Sequence, residues 1–313
     1  MLKFWESLIG GVAQKWLDRL ISPALAFWLT GGLLYASRVG WDRVEEVFRT
    51  LPDFVTVSVL ALALLVVVGS ATLVEGLQES LLHFLEGHWP GWLGWLRGLL
   101  VRRERRRFAR AQARLRELAQ RWSDLTPEER EEFTRLDLLV HSYPRILPIQ
   151  PTRVGNILRA AEEYPQRRYG LRPRVIWPRL WLILPDRPRG EVAQARERLN
   201  SALRIMVWSL AFLLWCYLTI PGTPIIRPRP PVTAPVWVVL GAYLRVCWPA
   251  LVALAGLLWG YRRVVAAAET YGDILRAVFD LYRDELYEAL RWPEKGEEWE
   301  RGRDLSRFLW HGK

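Results

Sequence analysis

Hydrophobic residues along the chain cluster in four long runs that are separated by strongly polar segments. The runs cover residues 23–37, 54–74, 205–220 and 236–260. A helix that crosses a bilayer needs about 20 mostly apolar residues, so we interpret each run as a membrane span. The first run is short and borrows residues from the helix that precedes it. Four such runs in one chain argue against the alternative, buried helices of a soluble protein.

The spans fall into two pairs, each with a short link. Residues 38–53 join the first pair, and the proline-rich residues 221–235 join the second, where an extended link without helix is expected. The pattern predicts an all-α membrane protein with four transmembrane helices in two hairpins and a helical cytosolic domain. The predicted segments are an amphipathic N-terminal helix at 1–22, hairpin 1 at 23–75, a basic cytosolic domain at 76–202, hairpin 2 at 203–260 and cytosolic C-terminal helices at 261–313.

The charge of the chain is concentrated between the two pairs of spans. Residues 97–198 hold 24 arginines against 13 acidic residues, an excess of 11, which equals the formal charge of +11 of the whole chain. Because positively charged residues near spans stay on the cytoplasmic side, we expect both termini and the central domain to be cytoplasmic. The predicted location is the cytoplasmic (inner) membrane of a prokaryote.

Tryptophans and arginines meet just after the second span. The stretch 88–107 contains three tryptophans, predicted to anchor at the membrane–water interface, followed directly by arginines that face anionic lipid headgroups. The anchors are Trp89, Trp92 and Trp95, and the arginines are Arg102, Arg103, Arg105, Arg106 and Arg107. A plain solvated helix face is the alternative. Nucleic acid is an unlikely partner, since the cluster lies too close to a span to offer a lipid-free basic face.

A second basic concentration lies in residues 147–186, where prolines at 165 and 178 are expected to divide the chain into short pieces. Arg153, Arg167 and Arg168 lie there, interleaved with aromatic residues. One interpretation is a site for an anionic lipid or ligand. The other, which we favour because no glycine-rich phosphate loop accompanies these residues, is a subdomain packed on the bilayer or on the long C-terminal helix.

Local signals predict several helices in the polar segments. Thr126, Pro127 and Glu129 form a capping-box pattern, and Thr152 is a candidate N-cap for a helix that ends at Pro165. Beyond the last span, apolar residues between 271 and 290 recur at helical spacing. This stripe requires a partner, either the central domain or the same helix of another protomer.

Residues with potential chemistry are few. Arg245 is the one charge inside a span, so it is a candidate functional residue, although it could also extend to the outer face of the membrane. The histidines show no metal-ligand spacing, since His83 and His88 are five residues apart and do not align on a helix face. No nucleophile motif, Walker loop or dinucleotide fingerprint appears. We therefore expect no enzyme activity, no cofactor and no metal.

The short sequences PTRVGNILRAAE, YPQRRYG and WPRLW, with a weaker match in YGDILRAVFDLYRDELYEAL, resemble a family of bacterial multi-spanning membrane proteins with no assigned function. The resemblance covers much of the chain after residue 140. It implies that this part is a genuine module, and it implies no activity and no functional residues.

These patterns favour a non-enzymatic membrane protein that self-associates as a scaffold or as a pore gated by its cytosolic domain. A homo-oligomer is expected, and a further protein partner could bind the cytosolic domain. A transporter or permease component is the alternative, but four spans without paired intramembrane charges make a poor solute pathway for one chain. A lipid-modifying enzyme would need a cluster of histidine and acidic residues at the interface, which the pattern does not show.

Overall fold

The computed structural model describes residues 23–218, 236–294 and 296–312, with backbone alone for 218 and 236–247. The predicted amphipathic helix at 1–22 and the link at 221–235 lie outside the described residues. The described part is helical, without strands. Its helices are α1 (Pro23–Val39), α2 (Trp41–Thr50), α3 (Asp53–Leu85), α4 (Gly94–Gln120), α5 (Pro127–His141), α6 (Arg153–Tyr169), α7 (Pro173–Ile183), α8 (Asp186–Leu218), α9 (Val236–Ala289) and α10 (Glu298–His311).

Three helices in the described residues are long and apolar enough to cross a membrane, namely Asp53–Leu85, Asp186–Tyr217 and Trp248–Ala289. They correspond to the second, third and fourth predicted spans. The first predicted span forms α1, whose described part, Pro23–Val39, has 17 residues and is not one of these three helices. Four spans in two hairpins therefore stay a prediction, while the all-α class is confirmed.

The structure divides into two compact units. The apolar unit comprises residues 23–80 and 202–261 of the described chain, and the basic unit comprises residues 81–201 and 262–312. The predicted central domain and the predicted C-terminal helices thus belong to one unit. The helices α3, α8 and α9 each begin in one unit and end in the other.

The apolar unit packs through aromatic rings and small residues. The ring of Phe27 lies 4.8 Å from that of Trp208, and Trp28 Nε1 donates a 3.0 Å hydrogen bond to Ser70 Oγ. A Cβ atom at Gly31 would lie 2.6 Å from the indole of Trp215, so only glycine permits this approach. These contacts join α1 to α3 and α8.

The core of the basic unit is built from α6, α7, the polar parts of α8 and α9, and α10. Its largest fully buried members include Phe279, Leu286 and Tyr287 of α9. The apolar stripe predicted beyond the last span therefore finds its partner in the central segment of the same chain. The ring of Trp177 in α7 lies 5.9 Å from that of Phe279 and is tilted by 37°, which is the packing role expected for the aromatic residues of this region.

The proline-based boundaries were wrong in this region. The helix α6 runs through Pro165 to Tyr169, and α7 runs through Pro178. Proline 165 cannot donate to the carbonyl of residue 161, but residues on both sides of it are fixed by one carboxylate. Tyr164 and Tyr169 both donate hydrogen bonds to Asp280 of α9, at 3.0 and 2.6 Å. Tertiary contacts thus offset the lost backbone hydrogen bond.

The predicted helix starts are confirmed. Glu129 N donates to Thr126 Oγ1 at 3.3 Å, and Thr126 N donates to the Glu129 carboxylate at 3.1 Å, which completes the capping box at α5. Thr152 caps α6 by accepting from Gly155 N at 3.0 Å. The terminal helix α10 lies within the predicted C-terminal helices at 261–313 and packs on α6 and α7.

Candidate anion-binding site

Most arginines of α4 are exposed to solvent. One stripe of α4 is buried, formed by Glu104, Ala111 and Leu118 at seven-residue spacing, and Glu104 on this side accepts a 2.6 Å hydrogen bond from the Tyr143 hydroxyl. The predicted lipid-facing arginines, which are all exposed, are Arg102, Arg103, Arg105, Arg106 and Arg107. Their position leaves the guanidinium groups accessible to an anionic surface.

The three tryptophans before these arginines do not behave alike. Trp92 and Trp95 are 75% and 72% exposed, as an interfacial anchor requires. Trp89 is half-buried, stacks on Phe84 at 4.4 Å, and donates from Nε1 to the Phe84 carbonyl at 2.7 Å. The structure therefore gives Trp89 a local packing role at the end of α3.

The three arginines predicted in the second basic region also differ in their contacts and exposure. Arg153 is paired with Glu269 of α9 at 2.7 Å, so its charge joins two elements of the basic unit. Arg168 is exposed on α6. Arg167 lines a cavity within the described residues.

This cavity has a volume of about 90 Å³ and lies within the basic unit. It forms where the end of α5 and the segment after it meet α6 and α9. Three guanidinium groups converge on it, together with tyrosine and histidine side chains. Its lining residues are His141, Tyr143, Arg145, Ala160, Glu163, Tyr164, Arg167 and Arg276.

Glu163 is the acidic residue of the cavity, and its hydrogen-bonding capacity is already used. The buried carboxylate accepts from Arg145 N at 2.9 and 3.0 Å and from Leu147 N at 2.9 Å. Glu163 thus fixes the segment that carries Arg145, and its charge only partly offsets the three arginines.

The pKa of Arg167 reflects the positive charge of the neighbouring arginines. Desolvation lowers the pKa of the Arg167 guanidinium, and the nearby charge of Arg145 lowers it further. Within the described part of the chain, no ion pair joins Arg145 or Arg167 to a carboxylate, whereas Arg276 pairs with Asp273 at 3.0 Å. A bound anion would relieve this repulsion, and guanidinium groups suit phosphate and carboxylate oxygens.

Sequence reasoning missed Arg145 and Arg276. They come from the segment after α5 and from α9, more than 100 residues apart, so no local motif joins them to Arg167. A helical pattern alone could not show that these three elements meet.

Arg245 belongs to α9, but its side chain lies outside the described residues. Its candidate role as a functional intramembrane residue stays a prediction. His83, Glu86 and His88 form the group in the described residues that could hold a metal ion. Helix-face spacing, on which the expected absence of a metal was based, does not apply here because α3 ends at Leu85, before Glu86 and His88.

Comparison with protein-family models, with curated proteins and with solved structures gave no match for this chain. The family resemblance of the short sequences stays a prediction.

Proposed function

We propose that this chain is a non-enzymatic integral membrane protein that self-associates as a scaffold or gated pore, with a basic domain that binds an anionic ligand. The observation that best supports this proposal is the exposed apolar surface of three long helices in the described part of the chain. Their most apolar stretches are only 22%, 28% and 22% buried, and side chains such as Phe54 and Val57 are 81% and 66% exposed. An apolar surface of this extent requires lipid or protein contact.

The continuity of the helices supports control by the basic domain. Because α3, α8 and α9 contribute residues to both units, a ligand that stabilises one arrangement of the basic unit acts on helices that also form the apolar unit. Such a ligand shifts the equilibrium between two states only by its difference in affinity for them. The cavity between Arg145, Arg167 and Arg276 is the proposed place for that ligand.

The charge distribution supports an orientation with the basic domain and both termini in the cytoplasm of a prokaryote. The exposed arginines of α4 are proposed to contact the anionic headgroups of the inner membrane, each contributing about 1 kcal/mol when close to the surface. A further protein partner of the basic domain fits this arrangement, and no cofactor is proposed.

Self-association is tested by the mass of the full chain reconstituted in lipid nanodiscs, measured by light scattering with the lipid contribution subtracted. The proposal predicts a defined homo-oligomer, and a monomer at all lipid ratios would overturn it. Conductance across a planar bilayer then separates a pore from a scaffold. If a current is observed, Arg245→Ala tests whether this arginine belongs to the conducting pathway.

A further inference from the structure

We propose that the end of helix α3 forms a binding site for a divalent transition-metal ion, with His83, Glu86 and His88 as its protein ligands. The site is separate from the arginine-lined cavity. The proposed ligands lie within six consecutive residues, 83–88, with the sequence HFLEGH.

The backbone at this point forms a Schellman motif. His88 N donates to His83 O at 3.0 Å, and Gly87 N donates to Phe84 O at 3.0 Å, while Gly87 has a positive φ of 98°. In this motif the residue three before the helix cap contacts the residue two after the cap, and the contact is usually hydrophobic. The cap here is Glu86, and the two residues that meet are His83 and His88.

The side chains converge as a metal would require. One ligand atom from each of the three residues lies within 4.8 Å of the others, and His83 Nδ1 lies 3.3 Å from Glu86 Oε2. Zinc bonds of 2.0–2.1 Å in a tetrahedron place neighbouring ligand atoms about 3.4 Å apart. The His83–Glu86 distance already fits this edge, and the ligand atom of His88 lies within 4.8 Å of the other two, so metal binding requires it to move closer.

The backbone that carries the ligands is held on several sides. The Phe84 carbonyl accepts from Trp89 Nε1 at 2.7 Å, and the Leu85 carbonyl accepts from the Thr152 hydroxyl. His88 Nδ1 lies 3.3 Å from the His83 carbonyl, the type of contact that orients an imidazole for metal binding through its other nitrogen. Fixed ligands lower the ordering cost of binding a metal.

The position and the ligand types favour a transition-metal cation. The C-terminal end of a helix attracts positive charge. With two imidazoles and one carboxylate, the site suits Zn²⁺ better than Ca²⁺ or Mg²⁺. Three protein ligands leave a fourth position for water.

The test is a Zn²⁺ titration of the full chain, prepared without a polyhistidine tag in nanodiscs, by competition with a chromophoric chelator. One Zn²⁺ per chain is expected. His83→Gln and His88→Gln should each weaken binding at least tenfold, whereas His311→Gln, at the far end of α10, should leave it unchanged. These positions are exposed, so the variants should fold, which circular dichroism verifies.

Co²⁺ provides a second measurement, because its visible absorption reports tetrahedral coordination by nitrogen and oxygen. The proposal predicts this absorption in the wild-type chain and its loss in His88→Gln. It is overturned if the wild type binds no Zn²⁺ in the titration, or if both histidine variants bind as tightly as the wild type.

Discussion

Replacement of Gly302 by alanine tests how α10 is fixed to the basic unit. Gly302 is buried in α10, where a Cβ atom would lie well inside contact distance of the Tyr169 carbonyl oxygen. It would also lie 3.0 Å from the Tyr287 hydroxyl and 3.1 Å from Leu171 Cδ2. Favourable carbon contacts lie at about 3.5–4.0 Å, so α10 has to move away from all three groups.

The expected magnitude follows from two opposing effects. Alanine favours a helix over glycine by about 1 kcal/mol, whereas overpacking a filled site costs about 1–3 kcal/mol, sometimes more. The Tyr169 carbonyl cannot retreat easily, because the next residue, Gly170, caps α6 with a positive φ of 70°. The neighbouring contacts of α10 include the fully buried Leu305 and Ser306, whose hydroxyl accepts from Arg172 N at 2.9 Å. Because the added Cβ would meet three groups at once, the overpacking cost lies in the upper part of this range, and we expect a net destabilisation of about 1–2 kcal/mol, a factor of about 5–30 in the opening equilibrium of α10.

Amide hydrogen exchange of peptides covering residues 298–311, with the full chain in nanodiscs, measures this opening. Gly98→Ala is the matched control, since Gly98 lies in α4 with no heavy atom within 4 Å of its added Cβ. The control should stabilise α4 slightly and leave exchange in α10 unchanged. Exchange in α10 of Gly302→Ala that equals the wild type, or is slower, would refute the close packing of α10 on the end of α6.

Other substitutions test the capping, burial and charge assignments. Thr126→Ala should raise exchange in the first turn of α5, consistent with a loss of about 0.5–2 kcal/mol, while Thr134→Ala, an exposed position of the same helix, should change little. Tyr287→Phe should leave stability unchanged or raise it, since the buried hydroxyl has no hydrogen-bond partner among the described residues. Burial raises the pKa of the Tyr287 hydroxyl to about 12 from its ordinary value of 10.0. Between pH 10 and pH 12 the hydroxyl therefore ionises in the unfolded chain but stays neutral in the folded chain, so the free energy of unfolding falls as pH rises. Tyr287→Phe lacks this group and should be less sensitive to alkali in pH-dependent unfolding. Arg167→Gln should weaken binding of inorganic phosphate at least several-fold in a calorimetric titration, and equal losses in Arg168→Gln would contradict a role for the cavity.

Local chemistry explains which parts of the fold could be predicted from the sequence. The capping box at Thr126 and the cap at Thr152 depend on residues three apart, so the pattern is visible without tertiary structure. Proline 165 carries an equally local signal for a helix end, but Asp280, more than 100 residues later, holds tyrosines on both sides of it. Local preference was overridden there by contacts that no sequence window contains.

The candidate sites were hidden for similar reasons. The prediction named Arg167 from a run of basic residues but also included Arg153, whose charge is engaged by Glu269. Which arginines face a cavity depends on how α6, α9 and the segment after α5 pack. His83 and His88 were set aside because a spacing of five does not fit a helix face, yet the turn at Gly87 brings them together. A pattern search that includes helix-terminal motifs would have found this pair.

The most direct measurement of the central claim is cysteine labelling across α3 in sealed, right-side-out membrane vesicles. Cys216 and Cys247 are replaced by alanine, and a single cysteine is placed at Thr50, Leu62 or Ser123. If α3 crosses the membrane with the basic unit inside, a membrane-impermeant maleimide labels Thr50→Cys in intact vesicles, Ser123→Cys only after permeabilisation, and Leu62→Cys in neither case. Labelling of Thr50→Cys and Ser123→Cys from the same side would contradict the account.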